Sequence, residues 1–263
     1  MNKKISKNSS TLIKVDPFSS PFELWETREP TAAERDELLK RREWKPFYEI
    51  KVGIQARINS ALDAAKETVA NKEDNRISHH TISYIKNSHE YAAWRSYMPK
   101  RTPSELVNYQ ESYPPKDFDI INRLVSRHGI IVPEGQTFFH GGVWPSDENG
   151  NPLNSISTKR VLSTSFCPKV ALNNSEWQGK AYEAGRIDLM VITAKKMTKK
   201  AFIFPIDEGT KGHELEVLFE EGAQLNLISN SMVNSCYKVS KCIDKSGTMS
   251  KKITANVLEI EIN

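Results

Sequence analysis

Disulfides are the first thing this sequence lacks. Three cysteines, Cys167, Cys236 and Cys242, occur in 263 residues, too few for a disulfide framework. Cys236 and Cys242 lie an even number of residues apart on a predicted strand. They would share a face but stand roughly 20 Å apart, beyond disulfide reach. That usage suits a reducing compartment. No apolar run approaches the length that spans a bilayer. The basic start, Met1-Asn-Lys-Lys-Ile-Ser-Lys-Asn8, leads into no apolar signal core. The expectation is a cytoplasmic protein with no membrane partner, though delivery into a host cell stays open. A strong charge of either sign is also missing: 37 Lys and Arg stand against 33 Asp and Glu, a net +4. So mild an excess permits nucleic acid as a partner without favouring it. The pairs Lys195-Lys196, Lys199-Lys200 and Lys251-Lys252 read as solvated lysines. There is no HExxH and no close His/Cys cluster, so no metal is expected, and His79, His80 and His89 read as surface or core residues.

What is present describes a soluble globular chain, 38% hydrophobic and 27% charged, long enough for one large domain or two small ones. Residues 1–20 are polar and Ser/Lys-rich and are expected to lack order. Residues 21–133 read as helical. Thr31-Ala-Ala-Glu34 is a capping box opening a charged helix to about Trp44. Ile50, Ile54, Ile58, Leu62, Ala65 and Val69 recur at helical spacing and predict one long helix. A third helix is predicted from Ile77 to Tyr97. Thr102-Pro-Ser-Glu105 reads as a capping box with proline at the first helical position. Phe118, Ile121, Leu124 and Val125 mark another helix, with Gly129 as its left-handed stop. Trp25, Trp44 and Trp94 read as helix-packing residues.

From residue 134 the texture changes to short strands: Thr137–Gly142, Arg160–Phe166, Ile187–Ile192, Ala201–Phe204, Leu215–Phe219, Gln224–Ile228, Tyr237–Ile243 and Val257–Ile262. A short helical stretch follows Pro168. The reading is an α+β fold with two packed sheets, divided near residue 134 or continuous with the helices.

Three motifs carry chemistry. Phe139-His140-Gly141-Gly142 puts an imidazole at a strand end beside backbone without side chains, where a planar ligand could approach. Ser163-Thr164-Ser165 offers hydroxyls, Ser163 and Ser165 on one face and Thr164 on the other. Gly209 to Phe219 reads as a turn feeding a strand, with Glu214 and Glu216 projecting from one face and Leu215, Val217 and Phe219 from the other. Paired acids there could hold a cation, a metal or a reacting sugar, or form a solvated strand face.

In this order the motifs resemble the mono-ADP-ribosyltransferase superfamily: aromatic-His-Gly, Ser-Thr-Ser, then Glu-x-Glu, over about residues 130–230. His140 departs from the arginine usual in the cholera-toxin-like, Ser-Thr-Ser branch. The resemblance implies a helical N-terminal region packed on a two-sheet, β-rich core, residues 134–263, that binds NAD as substrate. It implies cleavage of the nicotinamide–ribose bond and transfer of ADP-ribose to an acceptor, favouring an arginine of a target protein. Glu216 would face the ribose, Glu214 the acceptor, and Ser163 would hold Glu216. His140, Gly141, Thr164 and Ser165 would line the NAD site, and Asp207–His213 would form the acceptor turn, with Lys211 facing an acidic target surface. A nucleic-acid acceptor, plain NAD hydrolysis and a non-catalytic binding module are the alternatives.

Overall fold

The computed structural model describes residues 12–243 and 247–263; the expectation for residues 1–11 lies outside them. The first half runs β1 (Phe22–Arg28), α1 (Ala32–Lys40), β2 (Ile50–Ile58), α2 (Ala61–Ala70), α3 (Arg76–Asn87), α4 (His89–Arg95), α5 (Ser104–Glu111) and α6 (Phe118–His128). The second runs β3 (Thr137–Gly142), β4 (Ser155–Ser157), β5 (Leu162–Ser165), α7 (Pro168–Glu176), α8 (Lys180–Ala184), β6 (Arg186–Ala194), β7 (Ala201–Ile203), β8 (Glu216–Phe219), β9 (Gln224–Ile243) and β10 (Gly247–Ile262). Short 3-10 turns cover Trp177–Gly179 and Gly212–Glu214.

The architecture is α+β. Strands of the second half form a ladder ordered β4-β9-β10-β6-β3-β5-β8-β7. Its two groups of strands join at one register pair, Phe139 with Ser165. On one side β3 runs in full register with β6, and on the other β5 pairs with β8 over four residues. Side-chain alternation sends Phe138 into one apolar cluster and Phe139 into the other. The first cluster joins Trp94, Leu106, Ile121 and Val125 of the helices to Ile203, Val217 and Phe219 of the sheet. The Tyr91 hydroxyl also donates to the Phe204 carbonyl at 2.7 Å.

Several expectations are corrected. The long helix from Ile50 is strand β2 followed by helix α2, which Ser60 caps through its side chain. Ile50, Val52, Ile54, Ala56 and Ile58 alternate, and a spacing of four fits a strand as well as a helix. β-Branched residues and pairing with β1 decide for the strand. The predicted third helix breaks at Ser88, which is extended and caps α4. Thr31 and Glu34 do form the capping box. At α5 the capping residue is Pro103, without a side-chain cap; Thr102 instead donates to Glu208 Oε2 at 2.7 Å. Gly129 is extended rather than left-handed. It is glycine because a Cβ would stand 2.8 Å from the Ala201 carbonyl oxygen. Of the stretch expected to lack order, residues 12–20 are described, and Val15 and Phe18 are buried. The Val15 N–H donates to Gln136 Oε1 at 2.8 Å. The two predicted strands at Gln224–Ile228 and Tyr237–Ile243 are one strand, β9. Trp94 packs in the core, Trp25 lies on strand β1 and Trp44 follows α1.

Candidate active site

The site forms where β3, β5 and β8 meet, beneath helix α5. Ser165 is opposite Glu216 in the β5–β8 register, so Ser163 lies diagonally across the same face, within reach of a long side chain. Ser163 Oγ donates to Glu216 Oε1 at 2.5 Å. The other oxygen, Oε2, accepts from Gln110 Nε2 at 2.8 Å. Glu216 is 7% exposed, buried rather than part of a solvated strand face. Burial pushes its carboxyl up to about 7, against the pull of the Ser163 and Gln110 bonds, and the charge of Glu214 adds to the rise.

Glu214 does not share that strand. It closes the 3-10 turn, and Leu215 follows in the left-handed region at φ 50°. Leu215 thus separates an acid on a turn from an acid on a strand, and the expectation of paired carboxylates on one strand face is corrected. A β-carbon makes that conformation costly; Leu215 is buried at 2% exposure, so packing holds it there. The Glu214 carboxylate forms an ion pair with Lys211 at 2.7 Å. Its backbone carbonyl accepts from Ser165 Oγ at 2.7 Å, and that hydroxyl in turn accepts from the Cys167 N–H at 3.0 Å. Thr164 points to the other face and donates to the Val217 carbonyl at 2.8 Å. The three hydroxyls therefore have separate tasks: Ser163 holds the buried acid, Ser165 the turn, and Thr164 the strand pair.

His140 completes the group. Its Nδ1 lies 2.7 Å from the Ser163 carbonyl oxygen. Burial lowers its pKa, partly opposed by that carbonyl and assisted by the charges of Arg160 and Lys180. The neutral ring must place its proton on Nδ1, because a carbonyl only accepts, which leaves Nε2 as an acceptor. Gly141 is not open space for a ligand on its Cβ side. A Cβ there would stand 2.0 Å from the Ala171 carbonyl oxygen, so the glycine admits helix α7 against the strand.

His140, Ser163 and Glu216 thus form a connected set, with Gln110 the member that sequence reading missed. Gln110 sits on a short polar helix with no motif of its own; only the packing of α5 over β8 reveals it. Nearby, Tyr109 is buried, and both burial and the Glu216 charge raise its pKa. Arg160 lies over the rings of Tyr113 and Phe118 at 5.8 and 5.6 Å. The Asp207–His213 turn is anchored to the start of α5 by Glu208, which accepts from the Thr102 hydroxyl and N–H. A separate concavity of about 490 Å³, lined by His80, Tyr84, His89 and Glu90 among others, contains none of these residues. Among the described residues no group of three or more His, Cys, Asp or Glu could hold a metal, and no helix is long and apolar enough to cross a membrane.

No family model matches the chain, and no curated protein matches it. Among solved structures it is similar to Vis toxin, an ADP-ribosyltransferase from Vibrio splendidus, at 13% identity and TM-score 0.31, over 77% of this chain and 82% of that one. It is similar to Plx2a, an ADP-ribosyltransferase toxin from Paenibacillus larvae, at 13% identity and TM-score 0.36, over 72% of this chain and 98% of that one. BECa, an ADP-ribosylating toxin of C. perfringens solved with NADH, matches at 15% identity and TM-score 0.30, over 75% of this chain and 46% of that one.

Proposed function

We propose that the chain is an NAD-dependent mono-ADP-ribosyltransferase with a protein arginine as acceptor, and that residues 134–263 carry the NAD site. The observation that supports this reading most is the convergence of three motifs far apart in sequence on one carboxylate, Glu216, gripped by Ser163 and Gln110. Breaking the nicotinamide–ribose bond makes positive charge grow on the sugar, and a fixed, desolvated carboxylate stabilises that charge where it develops. Burial makes such a group expensive to ionise, but its electrostatic effect on a sugar cation is correspondingly large. Bound NAD carries a positive nicotinamide, which favours the ionised form of Glu216 at the moment it is needed.

His140 in the neutral form accepts a hydrogen bond at Nε2, which suits a ribose hydroxyl rather than a phosphate. The positive charge missing from the first motif comes from Arg160 and Lys180, both of which act on His140. Glu214, on its own turn and paired with a lysine, is the group that takes a cationic acceptor. A guanidinium stays protonated at neutral pH, so its partner is a carboxylate that orients it and takes its proton as the nitrogen–ribose bond forms and nicotinamide leaves. Thr164 and Ser165 hold strand and turn in register around these groups.

The test is incubation with NAD and agmatine, a minimal guanidinium, following nicotinamide release and ADP-ribosyl-agmatine together. Release that disappears in Glu216→Gln supports the reading. Wild-type protein that releases no nicotinamide, in the presence or absence of guanidinium or lysate acceptors, refutes it.

A further inference from the structure

Lys211 already occupies the carboxylate that the proposed function assigns to the acceptor. Its Nζ lies 2.7 Å from Glu214 Oε1, three residues away across a 3-10 turn, the spacing at which side chains eclipse. The backbone of that turn is pinned on both sides. A Cβ on Gly212 would stand 2.1 Å from the Ile206 carbonyl oxygen, and Ser165 Oγ holds the Glu214 carbonyl at 2.7 Å. The movable part is the Lys211 side chain, 36% exposed against 20% for Glu214. Glu208, an acid in the same turn, is engaged by Thr102.

A guanidinium arriving at Glu214 therefore meets a carboxylate with a cation in place, and two cations on one carboxylate repel. Lys211 must move. Against an isolated arginine it moves into water, and one ion pair replaces another at no gain. Against an arginine with a neighbouring carboxylate it can re-pair with that carboxylate, so the complex holds one ion pair more than the free enzyme.

We propose that Lys211 is a specificity-determining residue: it guards Glu214 and selects, among protein arginines, those flanked by acidic side chains. The proposal rests on the reading of Glu214 as the acceptor carboxylate. One exposed ion pair is worth up to about fivefold, and that is the selectivity expected.

The experiment uses two peptides that differ only beside a single arginine, Asp-Arg-Asp against Asn-Arg-Asn, with labelled NAD and the full chain. Wild type is expected to favour the acidic peptide about fivefold in kcat/KM. Lys211→Arg should keep the preference. Lys211→Gln should lose it and lower KM for agmatine, because Glu214 stands free; thermal melting confirms that each variant is folded. A wild type without preference, or a preference that survives Lys211→Gln, overturns the proposal. Nicotinamide release without selectivity refutes this inference alone, whereas no release and no labelling by wild type refutes the underlying function as well.

Discussion

Ser163 and Glu216, 53 residues apart in the chain, share a hydrogen bond of 2.5 Å diagonally across the β5–β8 pair. The register makes this contact structural as well as chemical. Ser165 is opposite Glu216, so a slip of one residue would turn all of these side chains to the other face. The buried acid has two donors and keeps neither oxygen free of a partner.

The two glutamates are expected to divide the reaction. Glu216→Gln keeps the shape and removes the charge, so nicotinamide release and transfer should both fall by about two orders of magnitude. Glu214→Gln leaves the sugar contact intact. Transfer to agmatine should collapse while slow NAD hydrolysis survives, because water needs no guanidinium site. Equal loss of both activities in both variants would contradict the division of labour between Glu214 and Glu216.

Glu216 should cost the fold stability as pH rises. Its carboxyl is raised from 4.5 to about 7 in the native state. Folding carries no penalty below the unfolded value, where both states are protonated. The penalty grows as pH climbs toward 7 and is complete above it, reaching up to about 3 kcal/mol. Glu216→Gln is therefore expected to melt several degrees higher than wild type at pH 8 and at nearly the same temperature at pH 4.5. Melting curves across that range decide it; a variant equally or less stable at pH 8 would mean that the native acid is not desolvated.

Gln110 is expected to set the acid limb of the activity profile. Its amide holds Glu216 down against burial. Gln110→Leu removes that bond, so ionisation should need a more alkaline medium, by about one pH unit. The rate should fall at pH 7 and recover in part at pH 8.5. A uniform loss at all pH values would assign Gln110 a packing role only.

His140→Ala should weaken NAD binding about tenfold, the value of one good hydrogen bond, while leaving the preference among acceptors unchanged. Calorimetric titration of the folded variant checks this. Unchanged affinity would remove His140 from the NAD site.

Much of this was legible in the chain itself. Short strands from residue 134, the Thr31–Glu34 capping box and the three motifs follow from local patterns, because alternation, capping and turn chemistry act over a few residues. The order of the motifs points to His140, Ser163 and Glu216, and the fold links the three by hydrogen bonds. Other features were decided only by tertiary structure. Ile50 to Ile58 fits two periodicities, and pairing with β1 selects the strand. Glu214 and Glu216 look like neighbours on one face until buried Leu215 takes a left-handed conformation that no local signal marks. Gln110 reaches Glu216 across 106 residues, and the raised carboxyl depends on burial that several distant elements create together. Local sequence can specify which side chains carry chemistry; their desolvation and their partners are sums over the whole packed chain.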